Sequence, residues 1–283
     1  MNKFKALIWK DYHIHKKTLF IPFWIILGFY ALITLSMTVG YFRGDLQIAQ
    51  FQFDSQDLAV PSIIFFINAL LLGLPGFIAI LFTITLSQSA LNDDMRRNCE
   101  LFHRSQPVSF WLRSLSKYVV TIGGNWLVLL IIAVFNYLVA NSILAYFGQF
   151  SLGASLNGML LSFVYFVKIS LLIGSITFLL SAIFKDKAFF TGVGILLGFQ
   201  FLFVILNTLM GWHLPLPLKY ISGLFEMGSQ FQIQGDPTTI DYEVLAKESW
   251  KLTLFNWKTV LQLAVSAILF AAASLLYNIK EVK

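Results

Sequence analysis

Long apolar runs alternate along this chain with short polar segments, and the pattern predicts helices that cross a membrane. A bilayer core about 30 Å thick is spanned by roughly 20 apolar residues of helix. Six runs are long enough, at about 18–40, 61–90, 117–146, 158–184, 189–211 and 257–279. They are aliphatic and rich in phenylalanine, without the period-two alternation of a lipid-facing barrel strand. We therefore predict an all-α integral membrane fold in which residues 18–283 form a domain of six transmembrane helices.

The polar segments between the runs carry unequal charge, which predicts the orientation of the helices. Cytoplasmic segments of membrane proteins are enriched in lysine and arginine. If the N-terminus is inside, the inner segments hold fourteen of the 20 basic residues, whereas the outer segments hold five basic and eight acidic residues. Both termini are therefore predicted to be cytoplasmic, and residues 212–256 to form an extracytoplasmic loop with short re-entrant or surface helices. The first run is too long for a signal-peptide core, so we expect it to remain as an anchor.

The composition supports a membrane protein and argues against several other classes. Hydrophobic residues make up 58% of the chain and charged residues 12%. The net charge of +6 is spread over four cytoplasmic pieces, which favours contact with anionic lipid over nucleic acid. Cys99 is the only cysteine, so no intrachain disulfide can form. His13 and His15 fall on different faces of a helix, and we predict no metal site.

The first 17 residues read as an amphipathic helix that lies in the membrane interface. Phe4, Leu7, Ile8 and Tyr12 fall on one side of it, and most of the lysines fall elsewhere. Such a helix can anchor the chain to the membrane surface or contact a partner, and both roles stay open.

Lys168 is an ionisable residue deep inside the fourth predicted span. It follows Gly158 by ten residues, which places it about 15 Å deep, near the midplane. A charged group at that depth should face protein or water. Lys168 either lines a translocation path, with Asn68, Asn125 and Gln200 as further candidates, or it snorkels or is held by carbonyls at a helix interface.

Pro75 and Gly76 interrupt the second run near its middle. Proline lacks a backbone N–H and glycine lacks a side chain, so we expect a kink there. The kink can act as a hinge, or it can simply allow close helix packing.

The densest polar segment, residues 91–109, lies between the second and third runs and carries both signs of charge. It is interpreted as a docking surface for a soluble partner or as a solvated connector. The chain has no G-x-x-x-x-G-K-[ST] phosphate loop and no H-E-x-x-H motif. We therefore predict no catalytic residues and no enzyme activity in this chain by itself.

Residues 91–118 resemble the cytoplasmic loop between the second and third spans of permease subunits of the type 2 ABC exporter family. That loop has an E-x-G-T-L-E-x-L-L-x-x-P-[VL]-S-R-like pattern. Glu100-Leu101-Phe102 stands at its acidic and apolar positions, Pro107-Val108-Ser109 stands at its end, and Arg97-Asn98-Cys99 departs from its Gly-Thr-Leu run. The N-terminal helix, the six spans and the segment 217–220 are also similar to that family, so the resemblance covers the whole chain.

The resemblance implies a membrane-spanning subunit of an ATP-driven exporter in the bacterial cytoplasmic (inner) membrane. Such a subunit forms the translocation path as a dimer with a second permease copy or a homologue. Separate ATP-binding cassette ATPase subunits dock beneath it and hold ATP and Mg²⁺, while this chain binds no cofactor. Within the loop at 91–116, a coupling helix would contact the ATPase, and the turn at 185–187 would make a smaller contact. The coupling residues implied are Arg96, Arg97, Glu100, Leu101, Phe102, Arg104 and Pro107.

Two other functions stay open at this point. The chain can be a non-transporting membrane scaffold or assembly subunit, or, with less support, an intramembrane enzyme. No aspartate or glutamate lies inside a predicted span, which argues against coupling to protons or sodium ions. The sequence does not indicate the substrate, and fold analogy alone cannot choose it.

Overall fold

The computed structural model describes residues 3–43, 59–92, 108–146, 150–184, 187–211, 213–225 and 242–281. These residues are almost entirely helical and include no strand, so the all-α prediction is confirmed. The helices are α1 (Lys3–Arg43), α2 (Ala59–Leu71), α3 (Gly73–Ala90), α4 (Phe110–Tyr118), α5 (Gly124–Tyr146), α6 (Leu152–Ile183), α7 (Ala188–Met210), α8 (Pro217–Phe225), α9 (Tyr242–Leu254) and α10 (Trp257–Glu281).

Six helical stretches within these ranges are long and apolar enough to cross a membrane. They run over Lys3–Gly40, Val60–Ala90, Phe110–Ala145, Leu152–Ile183, Ala188–Met210 and Tyr242–Ile279. The chain therefore has the architecture of a multi-pass membrane protein. The first stretch is one unbroken helix, so no break separates residues 3–17 of the predicted interfacial segment from the predicted first span.

Helix α6 is the centre of the bundle and packs against α2, α3 and α10. At one end, called here the terminal end, buried residues of α3, α6 and α10 meet, among them Ala90, Phe178 and Tyr277. At the opposite end, called the distal end, Phe65 of α2 and Ala154 of α6 pack together beneath α9. The end of α3, the helix α4 and the end of α6 thus lie together at the terminal end.

Two glycines let α6 approach its neighbours closely. The carbonyl oxygen of Phe65 occupies the place where a Cβ of Gly158 would stand. A Cβ on Gly174 would lie 2.6 Å from the Ile122 side chain and 3.0 Å from the Thr83 side chain. Without side chains at these positions the backbones pack tightly, as is common between membrane helices.

The second predicted span is divided into α2 and α3 at Leu72, where the kink was expected. Pro75 has no N–H to donate to the carbonyl of Leu71, four residues earlier. That carbonyl instead accepts a hydrogen bond from Asn136 Nδ2 of α5, at 3.2 Å. The ring of Phe166 fills the notch left by Gly76. The kink is therefore present and packed against α5 and α6, while its use as a hinge stays a prediction.

The third span contains a single π-helical turn, Val119–Gly123, between α4 and α5. The sequence pattern did not predict it. Directly after this turn, a Cβ on Gly124 would lie 3.1 Å from the side chain of Leu19. The close contact brings α1 against the start of α5.

After α7 the chain turns back along the same helix. Gly211 adopts a left-handed conformation with φ of 68°, and Leu214 exchanges two hydrogen bonds with the Asn207 side chain, at 2.8 and 3.0 Å. The amide of Leu218 then donates to Gln200 Oε1 at 3.1 Å. Because Gln200 precedes the end of α7 by ten residues, about 15 Å of helix, α8 begins well inside the length of α7. Helix α8 therefore begins beside α7, while the re-entrant position in the membrane that was predicted for part of 212–256 stays a prediction.

Candidate functional site

The predicted coupling segment begins and ends in one group of buried polar residues at the terminal end. Its residues Arg96, Arg97, Glu100, Leu101, Phe102, Arg104 and Pro107 lie outside the described residues, but the chain on both sides is described. The residues that join the two sides are named here the flank cluster. It consists of Asp11, Ala90, Asn92, Ser116 and Lys117.

The first flank is fixed to the end of α6. Asn92 Nδ2 donates to the carbonyls of Ser181 and Phe184, both at 3.0 Å. Ser181 lies in the last turn of α6 and Phe184 directly follows it, where the helix itself supplies no further amide donors. The preceding residue, Leu91, is fully buried. One amide side chain thus binds the chain that leaves α3 to the C-terminal end of α6.

The second flank is fixed to the first. Ser109 caps the N-terminus of α4 and accepts a hydrogen bond from the amide of Leu112, at 3.4 Å. Lys117, which is 4% exposed, donates from Nζ to the carbonyl of Ala90 at 2.7 Å. A cation at the carbonyl end of α3 also interacts favourably with the dipole of that helix. Lys117 therefore joins the chain that enters segment 93–107 to the chain that leaves it.

The start of α1 completes the flank cluster. Asp11 is 2% exposed, accepts a hydrogen bond from Ser116 Oγ and lies 3.5 Å from Lys10 Nζ. A buried carboxylate needs such partners, because removing it from water is costly. The flank cluster therefore connects four helices, α1, α3, α4 and α6, around the two ends of one segment.

The sequence interpretation missed Asp11, although a signal was present. Asp11 is the only acid among residues 1–43. It also lies on the helix row i, i+4 with Leu7 and Leu19, and all three are buried. This buried row lies within the predicted apolar side: Leu7 belongs to both, and Ile8 and Tyr12 pack against the cluster that contains Leu19. His15 lies on the same buried row and His13 is exposed, as their spacing requires.

The residues predicted to line a translocation path do not meet one another. Asn68 donates to the carbonyl of Ile64 in its own helix, at 2.9 Å. Asn125 joins α5 to α3 through bonds of 2.6 Å to the Ala79 carbonyl and the Thr83 hydroxyl. Gln200 binds the start of α8, as described above. Among the described residues, no hydrogen bond joins any two of the four candidates.

Lys168, the fourth candidate, lies at the middle of α6 and is held by the bend between α9 and α10. Its Nζ donates to the carbonyl of Thr253 at 2.5 Å and to Thr259 Oγ1 at 2.7 Å. Thr259 lies in the first turn of α10, beside Trp257 and Lys258, and both of these residue types are frequent at membrane interfaces. Lys168 lies at the middle of α6, which runs from Leu152 to Ile183, and its predicted depth near the membrane midplane stays a prediction.

A cavity of about 480 Å³ opens beside the first flank, between the end of α3 and the start of α7. Its lining includes Gln88, Ser89, Lys187 and Phe190. Lys187 belongs to the turn predicted as a second contact, whereas residues 185 and 186 lie outside the described residues. The described part of that turn is therefore adjacent to the chain that enters segment 93–107.

Comparison with protein-family models, with curated proteins and with solved structures gives no match for this chain.

Proposed function

We propose that this chain is the membrane-spanning subunit of an ATP-driven exporter, and that segment 93–107 receives the movement of a separate ATPase subunit. The observation that carries the proposal is the flank cluster. Both ends of the segment are tied by buried hydrogen bonds to helices that contribute to the bundle. A push on the segment would therefore reach α1, α3, α4 and α6 together. Packed helices transmit such displacements because they deform little.

The need for a second polypeptide follows from what the sequence contains. No phosphate loop is present, so ATP and Mg²⁺ would be held by the partner ATPase and not by this chain. Arg97, Glu100 and Arg104 supply both signs of charge for a hydrogen-bonded contact with that subunit. The family resemblance of residues 91–118 supports the same division of labour.

The proposed orientation places the terminal end of the bundle in the cytoplasm of a bacterium, at its inner membrane. The charge bias supports this orientation, because basic residues concentrate in the segments that the fold collects at that end. Segment 93–107 and the turn at 185–187 would then face a soluble ATPase. Helices α8 and α9 would face the opposite side.

A second copy of the chain, or a homologue, would complete the transporter across α7. This helix is apolar and mostly exposed, and Ala188 is its one buried residue. Gly194 and Gly198, four residues apart, have open space where a Cβ would stand. Such a glycine pair in an apolar helix allows close approach of another helix.

One observation favours the alternative of a non-transporting membrane scaffold. Lys168, Asn125 and Gln200 each make a hydrogen bond within the bundle, so none of them needs a substrate as its partner. An exporter needs ATP hydrolysis that is coupled to movement of this chain, whereas a scaffold does not. Measurement of ATP hydrolysis that responds to the membrane subunit therefore separates them.

The experiment is purification of this chain to test whether an ATPase subunit copurifies with it, followed by ATP hydrolysis of the complex in lipid vesicles. Glu100→Arg and Arg104→Glu should each reduce the stimulated hydrolysis by about tenfold or more, because each reverses a charge at the contact. Arg43→Glu, a charge reversal at the distal end of α1, is the matched control and should leave hydrolysis unchanged. Equal hydrolysis in all four proteins, or no ATPase in the complex, would overturn the proposal.

A further inference from the structure

At the bend between α9 and α10, a carbonyl in the last turn of α9 is hydrogen-bonded by residues of other helices. Helix α9 ends at Leu254 and α10 begins at Trp257. Asn256 caps α10, because its Oδ1 accepts from the Lys258 amide at 3.2 Å and its carbonyl accepts from the Thr259 amide at 2.9 Å. The carbonyl of Thr253 lies in the last turn of α9, beyond the reach of further amides of that helix. It needs a donor from another helix.

Lys168 supplies that donor and joins three helices at one point. Its Nζ donates to the Thr253 carbonyl at 2.5 Å and to Thr259 Oγ1 at 2.7 Å. Thr259 Oγ1 in turn donates to the Thr253 carbonyl at 2.9 Å. The ammonium also lies at the negative end of the α9 dipole, where a cation is stabilising. The three groups form a closed triangle among α6, α9 and α10.

Helix α9 covers the distal parts of α2 and α6 with one face. Tyr242, Leu245 and Trp250 pack there against Phe65 and its buried neighbours. The outer face is polar and exposed, and its charged residues are Glu243, Lys247, Glu248 and Lys251.

A polar seam accompanies this apolar contact. Asn157 of α6 donates from Nδ2 to the hydroxyl of Tyr242 at 2.6 Å and accepts from Trp250 Nε1 at 3.3 Å. The seam therefore runs along α6 from Asn157 to Lys168. Polar contacts of this kind can be exchanged for water more easily than buried apolar ones.

The hydrogen bonds at the bend join two helices that stay together, α6 and α10, to one that can move away, α9. Lys168 and Thr259 lie on α6 and α10, which pack against each other along their lengths. If α9 swings away about the bend, Lys168 loses the Thr253 carbonyl but keeps the Thr259 hydroxyl. Phe255, in the bend itself, is 83% exposed and so does not restrain it.

We propose that α9 is a hinged cover over the distal end of the bundle and that Lys168 is the positioning residue that latches it. The proposal concerns this chain alone and does not depend on an ATPase partner. It gives Lys168 a function in holding α9, in place of the predicted contact with a substrate.

The test measures the distance between α9 and α6 in the full chain in lipid nanodiscs. Spin labels are placed on cysteines at Lys247 and Leu152, both exposed, in a Cys99→Ser background. The parent should give one narrow distance, and Lys168→Met should add a longer one. Loss of a hydrogen bond to a charged group shifts such an equilibrium by roughly tenfold to a hundredfold. Lys251→Met removes an exposed lysine of α9 and should leave the distance unchanged.

Hydrogen exchange provides a second measurement that does not require the Lys168 variant to fold. Thr259→Val removes two sides of the triangle and should speed amide exchange in 242–254 by about threefold relative to 260–275. Thr259→Ser retains the hydroxyl and should restore the parent rate. Equal distances in the Lys168→Met and Lys251→Met proteins, or equal exchange in Thr259→Val and parent, would overturn the proposal. Neither measurement changes if the exporter assignment fails.

Discussion

Single polar side chains bind helices of this protein to one another in places where the sequence alone shows only scattered amides and hydroxyls. Asn92 binds two carbonyls at the end of α6, and Asn125 binds a carbonyl and a hydroxyl of α3. In apolar surroundings each such bond stabilises the fold, because no water is present to donate to an unpaired carbonyl. The placement of one amide can therefore set how two helices meet.

Asn92→Asp should destabilise the protein more than its small change in size suggests. The substitution replaces an amide that donates to two carbonyls by a carboxylate that can only accept. We expect it to lower the free energy of unfolding by about 2 kcal/mol or more. Thermal unfolding of the purified protein in detergent measures it. Ser142→Ala, which removes an exposed hydroxyl bonded within its own helix, serves as the control. Equal melting temperatures for the two variants would show that Asn92 does not hold the end of α6.

Broken helices are the main departure of this bundle from six plain spans. Helices α2 and α3 part at Leu72, a π turn separates α4 from α5, and a bend separates α9 from α10. At two of these breaks a side chain from another helix binds the carbonyl that lost its partner: Asn136 binds Leu71 and Lys168 binds Thr253. The breaks are therefore built into the tertiary structure and are not local weaknesses.

This account predicts that Pro75 and Asn136 are energetically coupled. Asn136→Ala alone should destabilise the fold by about 1 kcal/mol, because the Leu71 carbonyl loses its donor. In a Pro75→Ala background the new amide can bind that carbonyl, so the same substitution should cost much less. A double-mutant cycle of unfolding free energies in detergent measures the coupling. Strict additivity of the two substitutions would contradict it.

The complete bundle has a well-packed centre around α6 and an exposed helix, α7, at its side. Many apolar side chains of α7 point outward, including Phe201 at 68% and Leu209 at 78% exposed. Lipid covers such a surface without difficulty, but the open glycines at 194 and 198 add a groove that a second helix fits.

Gly194→Ile combined with Gly198→Ile should weaken a dimer formed across α7 by about tenfold or more, since bulky side chains would keep the two helices apart. The measurement is the mass of the protein in nanodiscs or detergent across a range of concentrations. Gly28→Ile, at an equally open glycine of α1, is the control and should keep the parental state. A dimer that persists in the double variant would place the contact elsewhere.

The sequence predicted those features that depend on neighbouring residues. Hydropathy runs are local, so the six spans were found, and proline acts on its own helix, so the kink at Pro75 was expected. The partners of Asp11 and Lys168 lie 105 and 85 to 91 residues away, and no pattern along the chain reports them. For the same reason the two flanks of segment 93–107 could be named from the sequence, but their meeting at Lys117 and Ala90 could not.

The hydrogen bond between Asp11 and Ser116 also has a consequence for biogenesis. Residue 11 is synthesised 105 residues before its partner. At a synthesis rate of about 5–20 residues per second, this interval lasts roughly 5 to 20 s. During that time the first helix carries a carboxylate that has no Ser116 to bind, which keeps its first turns in contact with water. The nascent N-terminal helix can therefore settle into its final position only when the third span arrives, so the order of synthesis delays the closure of the terminal end.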